Sequence, residues 1–308
     1  MLALLLEHKV SLLSLALLLS LLLPLTQLQE AMSLGITKLG QRLNNSAYSP
    51  TYLQVAGGGL FICLYMPLTT AYWALAELAP WPSLLEPLLL WLLLDLGRLR
   101  QAVPSCLAHA QQQMPLARLS LAPICLRQTG ALSPLGIYKA VAETTTLRLA
   151  GDFALLFWYL AGGIYSALLF GLLRLVVQAW PVKLAPWRPF GQVVSVSYRA
   201  LAWLPLHLLT LTLLIYPGSK RAIKAWPQGK LWTYPAAGRL LAVAGAGIDS
   251  GLGGPRRYTQ ATEYYPKLGT AQLLTLENCR RLLLRLTLAL LFWLSLAWLL
   301  LLVPYFYG

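Results

Sequence analysis

The side chain best placed to do chemistry in this sequence is Glu143. It lies in the stretch from Ala117 to Gly163, where an apolar chain turns polar and basic and then apolar again. Ser133-Pro134 predicts a helix start, with Ser133 as N-cap and Pro134 at the first helical position, where no N–H is needed. Ile137, Ala140, Val141 and Thr144 then share one helical face. Glu143 stands beside that face, and the next apolar run begins at Phe153. A carboxylate there is either a solvated helix end or a site residue that takes a proton or pairs with a guanidinium. Arg127 and Arg148 are its candidate partners.

Other reactive types are scattered. Cys63, Cys106, Cys125 and Cys279 form no Cys-x-x-Cys pair, so neither a zinc site nor a disulfide framework is expected. His8, His109 and His207 are equally isolated; His207 lies in an apolar run and is expected to be a lone packed histidine or a site group. There is no P-loop, Gly-x-Ser-x-Gly or His-Glu-x-x-His. Gly245 to Gly254, GAGIDSGLGG, lacks the preceding strand that a dinucleotide fingerprint needs. It reads as a packed small-residue helix ending in a glycine turn, with Asp249 as a turn former or a site acid.

The elements that must position Glu143 are membrane helices. Hydrophobic residues make up 58% of the 308, charged residues 11%, and mean hydropathy is +0.63. Soluble domains carry roughly 25% charge. The net charge of +14 sits in loops between apolar runs, so topology explains it better than nucleic acid, which is not expected as a partner. The expected fold is an all-α polytopic bundle of about 5–7 spans, read as one membrane domain over 1–308. Apolar runs lie at about 10–28, 55–78, 84–97, 153–177, 200–215 and 286–303. The first run reads as an uncleaved helix rather than a signal peptide. Gly57-Gly58-Gly59 reads as close helix packing. Gly162-Gly163 makes 153–177 either one kinked span or a half-helix followed by a full one. With six spans, loops 29–53, 98–152 and 217–285 hold two, six and eleven Lys and Arg; the opposite side holds Lys9, Lys183 and Arg188. Nineteen against three puts the large loops 98–152 and 217–285 in the cytoplasm, with both termini outside.

Several stretches, in order, resemble one family. Leu126-Arg127-Gln128-Thr129, Lys139-Ala140-Val141-Ala142-Glu143-Thr144, Gly151-Asp152, Leu156-Phe157 and Gly162-Gly163 follow one another through the central region. Arg188-Pro189-Phe190-Gly191, Leu204-Pro205, Leu252-Gly253-Gly254-Pro255 with Tyr258, and Pro266-Lys267-Leu268-Gly269 continue the series. The chain is similar in these motifs to the CobD/CbiB family of membrane-bound adenosylcobinamide-phosphate synthases. It departs where the family carries acids and amides. Leu147-Arg148 stands in place of a Glu-Asn pair, Arg174-Leu175-Val176-Val177 in place of Asn-Thr-Leu-Asp, and Tyr198-Arg199 in place of paired aspartates.

The resemblance implies a protein of the bacterial inner membrane acting in cobalamin biosynthesis. It implies attachment of aminopropanol, or its phosphate, to the corrinoid adenosylcobyric acid, with ATP and Mg²⁺ as accessory groups and other cobalamin-pathway proteins as partners. The alternative is a non-catalytic sensor or assembly subunit like the AmpE proteins. Carried onto this chain, the resemblance makes Glu143 and Asp152 candidate catalytic acids. Arg127, Thr129, Thr144, Arg148, Lys183, Arg188, Gly253, Gly254 and Tyr258 become candidate substrate-binding residues, the basic ones suited to phosphate or the corrinoid rim. The residues themselves suggest no metal cluster. Glu277 is expected to cap or flank the last helix.

Overall fold

The computed structural model describes residues 8–258 and 261–307, with side chains except at 261 and 302–307. It divides into two compact units. The first is Met1–Gly97 with Ala154–Ala202, and the second is Arg98–Phe153 with Trp203–Gly308.

In the first unit, α1 (Lys9–Leu22) and α2 (Thr26–Leu43) meet at a 98° bend. Pro24 lies in the break, and the residue before a proline is driven out of helical geometry. The run expected at 10–28 is therefore not one straight helix. Next comes α3 (Pro50–Leu78), whose N-cap Ser49 accepts a hydrogen bond from the Tyr52 N–H at 3.3 Å. The expected close packing occurs at Gly57, where a Cβ would fall 2.0 Å from the Phe190 carbonyl oxygen. The third run proves too short to cross alone. Its helix α4 (Leu85–Leu93) has 9 residues, about 14 Å of rise against about 30 Å of bilayer core. The last carbonyls of α4 and the residue beyond it are satisfied by side chains. Gln29 Nε2 donates to Leu92 and Leu94 at 3.0 and 2.7 Å, and Arg174 Nη2 donates to Leu93 at 3.1 Å.

The chain enters the second unit at Arg98, within α5 (Leu96–His109), and continues into α6 (Met114–Leu121). The long α7 (Pro134–Ala179) starts where expected: Ser133 Oγ accepts from the Gly136 N–H at 3.2 Å. It covers 46 residues; its part up to Phe153 belongs to the second unit and its part from Ala154 to the first. The chain breaks helical geometry at Gly163, with φ 75° and ψ −165°, a conformation open to glycine. So the run 153–177 is broken at Gly163, where two helical stretches join. α8 (Gln192–Leu213) takes in most of the run expected at 200–215, and the chain returns to the second unit within it, at Trp203. Then follow α9 (Ser219–Ala225), α10 (Pro235–Gly247) and finally α11 (Leu276–Tyr307). Glu277 sits in the first turn of α11 and accepts from Arg281 Nε at 3.0 Å.

The all-α expectation needs correction here. Helices dominate, but β1 (Gly251–Tyr258) and β2 (Ala261–Gly269) pair antiparallel, with a register shift between Gly253 and Pro255. α10 is buried along its length by small residues and ends as expected in a turn, with Asp249 at φ 56°. The strand that follows was hidden because two glycines and a proline argue against one. Gly253 (φ 78°) and Gly254 (φ 94°) make the irregularity possible. A Cβ on Gly253 would fall 2.2 Å from the Pro266 carbonyl oxygen. The Leu-Gly-Gly-Pro and Pro-Lys-Leu-Gly motifs are thus partners across one hairpin.

Among the described residues, three helices are long and apolar enough to cross a membrane: Pro50–Leu78, Pro134–Ala179 and Leu276–Leu301. The bent α1–α2 pair makes four if it is one span. The described helices do not establish the 5–7 spans expected.

Candidate functional site

Glu143 is not a solvated helix end; it is 1% exposed. Three donors from two chain segments close around its carboxylate. Arg127, from the loop before α7, donates through Nη2 to Oε2. Arg256 of β1 donates through Nη2 to the same oxygen at 2.8 Å. The Gly253 N–H donates to Oε1 at 2.6 Å. Each partner depends on local structure. The Gln128 N–H bonds the Arg257 carbonyl at 2.9 Å, which ties the Arg127 loop to β1. After the register shift, Arg256 and Tyr258 turn inward while Pro255 and Arg257 stay exposed. The left-handed backbone at Gly253 is part of the turn that presents its N–H.

Two guanidiniums and one carboxylate leave the cluster with a net charge of +1. Burial alone would lower the Arg127 pKa, but the Glu143 carboxylate outweighs it and holds the guanidinium above its ordinary value. The Arg256 guanidinium carbon lies 4.6 Å from the ring centroids of both Trp232 and Tyr265, within cation–π range. Its Nε is buried with no hydrogen-bond partner among the described residues. Burial first, then Tyr258 and Glu263, pushes the Tyr265 phenol well above its ordinary range. Its hydroxyl donates to Glu263 at 2.9 Å.

The expected site residues divide. Glu143, Arg127 and Gly253 come together. Gly254 is the next residue of the same turn. Tyr258 is 4% exposed and interacts electrostatically with Arg127. Half-buried Thr144 follows Glu143 on α7, and Thr129 lies in the Arg127 loop. The proposed Glu143–Arg148 pairing is not what forms. Arg148 lies five residues on, about 140° around the helix, and its Nε donates to the Ile124 carbonyl at 3.0 Å. Asp152 is buried at 2% exposure, but nine residues along a helix put it about 180° from Glu143 and about 13 Å further on. The two acids cannot act as a close pair. Lys183 and Arg188 belong to the first unit, in the loop between α7 and α8.

Arg256, Trp232 and Tyr265 escaped the sequence reading. The inward alternation of Arg256 and Tyr258 was the available signal, legible only once this segment is taken as a strand. His207 is a packed ring, as one of the two expectations had it. Its Nδ1 lies 2.7 Å from the Trp203 carbonyl oxygen and its Nε2 2.7 Å from Arg239 Nη1. The neutral tautomer protonated on Nδ1 satisfies both contacts.

The arrangement suits anion binding better than a hard cation. Mg²⁺ prefers one or two free carboxylate oxygens together with phosphates. Both Glu143 oxygens already accept from guanidinium or amide donors, so this carboxylate does not fit a Mg²⁺ ligand.

The chain matches no solved structure. It is 30% identical over 208 residues to the cobalamin biosynthesis protein CobD of Stutzerimonas stutzeri, covering 66% of this chain and 68% of that one. To the cobalamin biosynthesis protein CobD of Chromobacterium violaceum it is 29% identical over 258 residues, covering 80% and 82%. These relatives lend no support to the sensor or assembly reading. A family model described as CobD/Cbib protein matches residues 13–287, and the chain that builds the Glu143 cluster is a member of the CobD/CbiB family.

Proposed function

We propose that this protein is a multi-pass inner-membrane component of cobalamin biosynthesis that attaches the aminopropanol arm to adenosylcobyric acid. The observation that carries the site assignment is the buried Glu143 carboxylate held between Arg127 and Arg256, inside the region that matches the family motifs. Glu143 acts here as a positioning residue. With both oxygens engaged it is a poor proton acceptor for an amine nucleophile. Its role is to hold two guanidiniums, leaving a net positive cluster for the carboxylate of the corrinoid or the phosphate of the aminopropanol. Arg127, with its side chain 10% exposed, is the member that reaches an anion. Tyr258, Thr129 and Thr144 supply nearby hydroxyls. Amide formation from a free carboxylate needs activation, which ATP supplies in the family's reaction; the Glu143 cluster takes no part as a metal ligand.

Complementation tests this reading. A strain lacking its own synthase and fed cobyric acid should grow with the wild-type chain and fail with Arg127→Gln. Absence of growth with wild-type protein present in the membrane would overturn it.

The loops 98–152 and 217–285 face the cytoplasm in this proposal, as the charge distribution supports. A single cysteine introduced as Lys230→Cys should resist a membrane-impermeant reagent in intact spheroplasts. Labelling there would refute the topology.

A further inference from the structure

A second group of arginines in the same unit opens onto a cleft that the Glu143 cluster does not use. The cleft holds about 420 Å³. Arg221 of α9 lines one side, the turn containing Asp249 lies beside it, and Thr275, Asn278, Arg281 and Arg285 line the other. Arg281 and Arg285 are four residues apart and share a helix face. Arg285 feels the like charges of both Arg281 and Arg221. Among the described residues it has no carboxylate partner.

The acids nearby do little to neutralise the group. Asp249 lies 3.7 Å from Arg221 and Glu277 lies 3.0 Å from Arg281, with all four side chains 45–62% exposed. Such exposed pairs are weak and screened by salt. Three guanidiniums thus face one cleft whose lining includes a single carboxylate. The backbone turn packs against the third: a Cβ on Gly247 would fall 3.1 Å from Arg285 Nη1.

Position decides the class of anion. From Leu286 to Leu301, α11 carries no charged residue, so Arg285 is the last charge before the apolar part of a candidate span. Leu273, which lines the cleft, and Leu284 are 67% and 60% exposed. Guanidinium forks match phosphate oxygens in pairs, and basic pockets beside membrane helices suit phospholipid headgroups.

We propose that the Arg221–Arg281–Arg285 cleft is a binding site for a phosphoryl anion, presented by an anionic lipid headgroup or as free phosphate. The site is independent of the corrinoid reading, and its test uses no corrinoid. The full chain in neutral detergent is titrated with inorganic phosphate at constant ionic strength, followed by thermal melting. In parallel, retention of phosphatidylglycerol against phosphatidylcholine is measured by native mass spectrometry. Saturable binding of at least one probe is expected, weakened about tenfold in Arg285→Gln and in Arg221→Gln. Arg280→Gln removes the same charge from an exposed position that does not line the cleft, and should bind as wild type. Arg221 is half exposed, so its variant keeps the test valid if Arg285→Gln fails to fold. A response to phosphatidylglycerol alone assigns the site to lipid; a response to phosphate assigns it to the free anion. Failure of both probes to saturate, or equal binding by Arg221→Gln, Arg280→Gln and wild type, would overturn the proposal.

Discussion

The second unit contains two arginine clusters built on opposite plans. Around Glu143, Arg127 and Arg256 are buried and share one carboxylate, and Arg256 is also packed by aromatic rings. In the cleft, Arg221 and Arg281 are more than half exposed and their acids are loosely matched. The difference teaches how burial changes what a charge does. In the closed cluster each guanidinium needs Glu143, because an unpaired buried charge is costly. In the open cluster water solvates each arginine, so repulsion among them is tolerable and an incoming anion finds donors available. Changes in the closed cluster should therefore cost stability as well as corrinoid binding, whereas changes in the open one should affect anion binding and leave stability nearly unchanged.

The largest effect is expected at Glu143. Glu143→Gln strands two buried guanidiniums and should cost about 3–5 kcal/mol in detergent unfolding. Combining it with Arg256→Gln should cost less than the two single changes together, with a coupling of at least about 0.5 kcal/mol. Strict additivity would show that the pair seen at 2.8 Å carries no shared energy.

Next comes the turn that supplies the third donor. Gly253→Ala puts a Cβ against the Pro266 carbonyl oxygen and imposes strain at φ 78°. A loss of about 1–3 kcal/mol is expected, together with failure of complementation. Normal melting and normal growth would mean that the turn accommodates a Cβ and does not depend on the close approach of Gly253 to Pro266.

Gly245→Leu should also lower the melting temperature, by an equivalent of about 1–3 kcal/mol. A Cβ there lies 2.9 Å from the Ser250 carbonyl oxygen and 3.1 Å from Leu252 Cγ, so the leucine overfills the space between α10 and β1. Unlike Gly253→Ala, it touches no donor to Glu143. Equal melting losses with growth retained only in Gly245→Leu would separate scaffold from site.

The smallest effect belongs to the open cluster. Arg281→Gln breaks only the exposed pair with Glu277, so stability should stay within about 0.5 kcal/mol of wild type. A loss comparable to that of Glu143→Gln would erase the contrast between the clusters.

Much of this was legible residue by residue. Ser133-Pro134 announces the start of α7 because cap and first-turn preferences act over a few residues. Gly162-Gly163 announces a break because the residues flanking the pair are apolar helix formers, and Gly163 takes up a φ that favours glycine. The membrane character follows from composition and the family from ordered motifs, both properties of the chain itself. Of the partners of Glu143, Arg127 was legible as a nearby guanidinium, and it is one of the two that pair with the carboxylate. Arg148 was equally near in sequence, yet the helix turns it away within five residues, and neither Arg256 nor the Gly253 N–H was legible. The donors that reach Glu143 from β1 lie 110 and 113 positions away. Whether they arrive depends on an irregular hairpin whose glycines and proline disguise it as a turn. Local propensity decided where helices begin and break. Only tertiary structure decided which charges are buried together, because that depends on backbone brought from distant segments and on the water excluded when they meet.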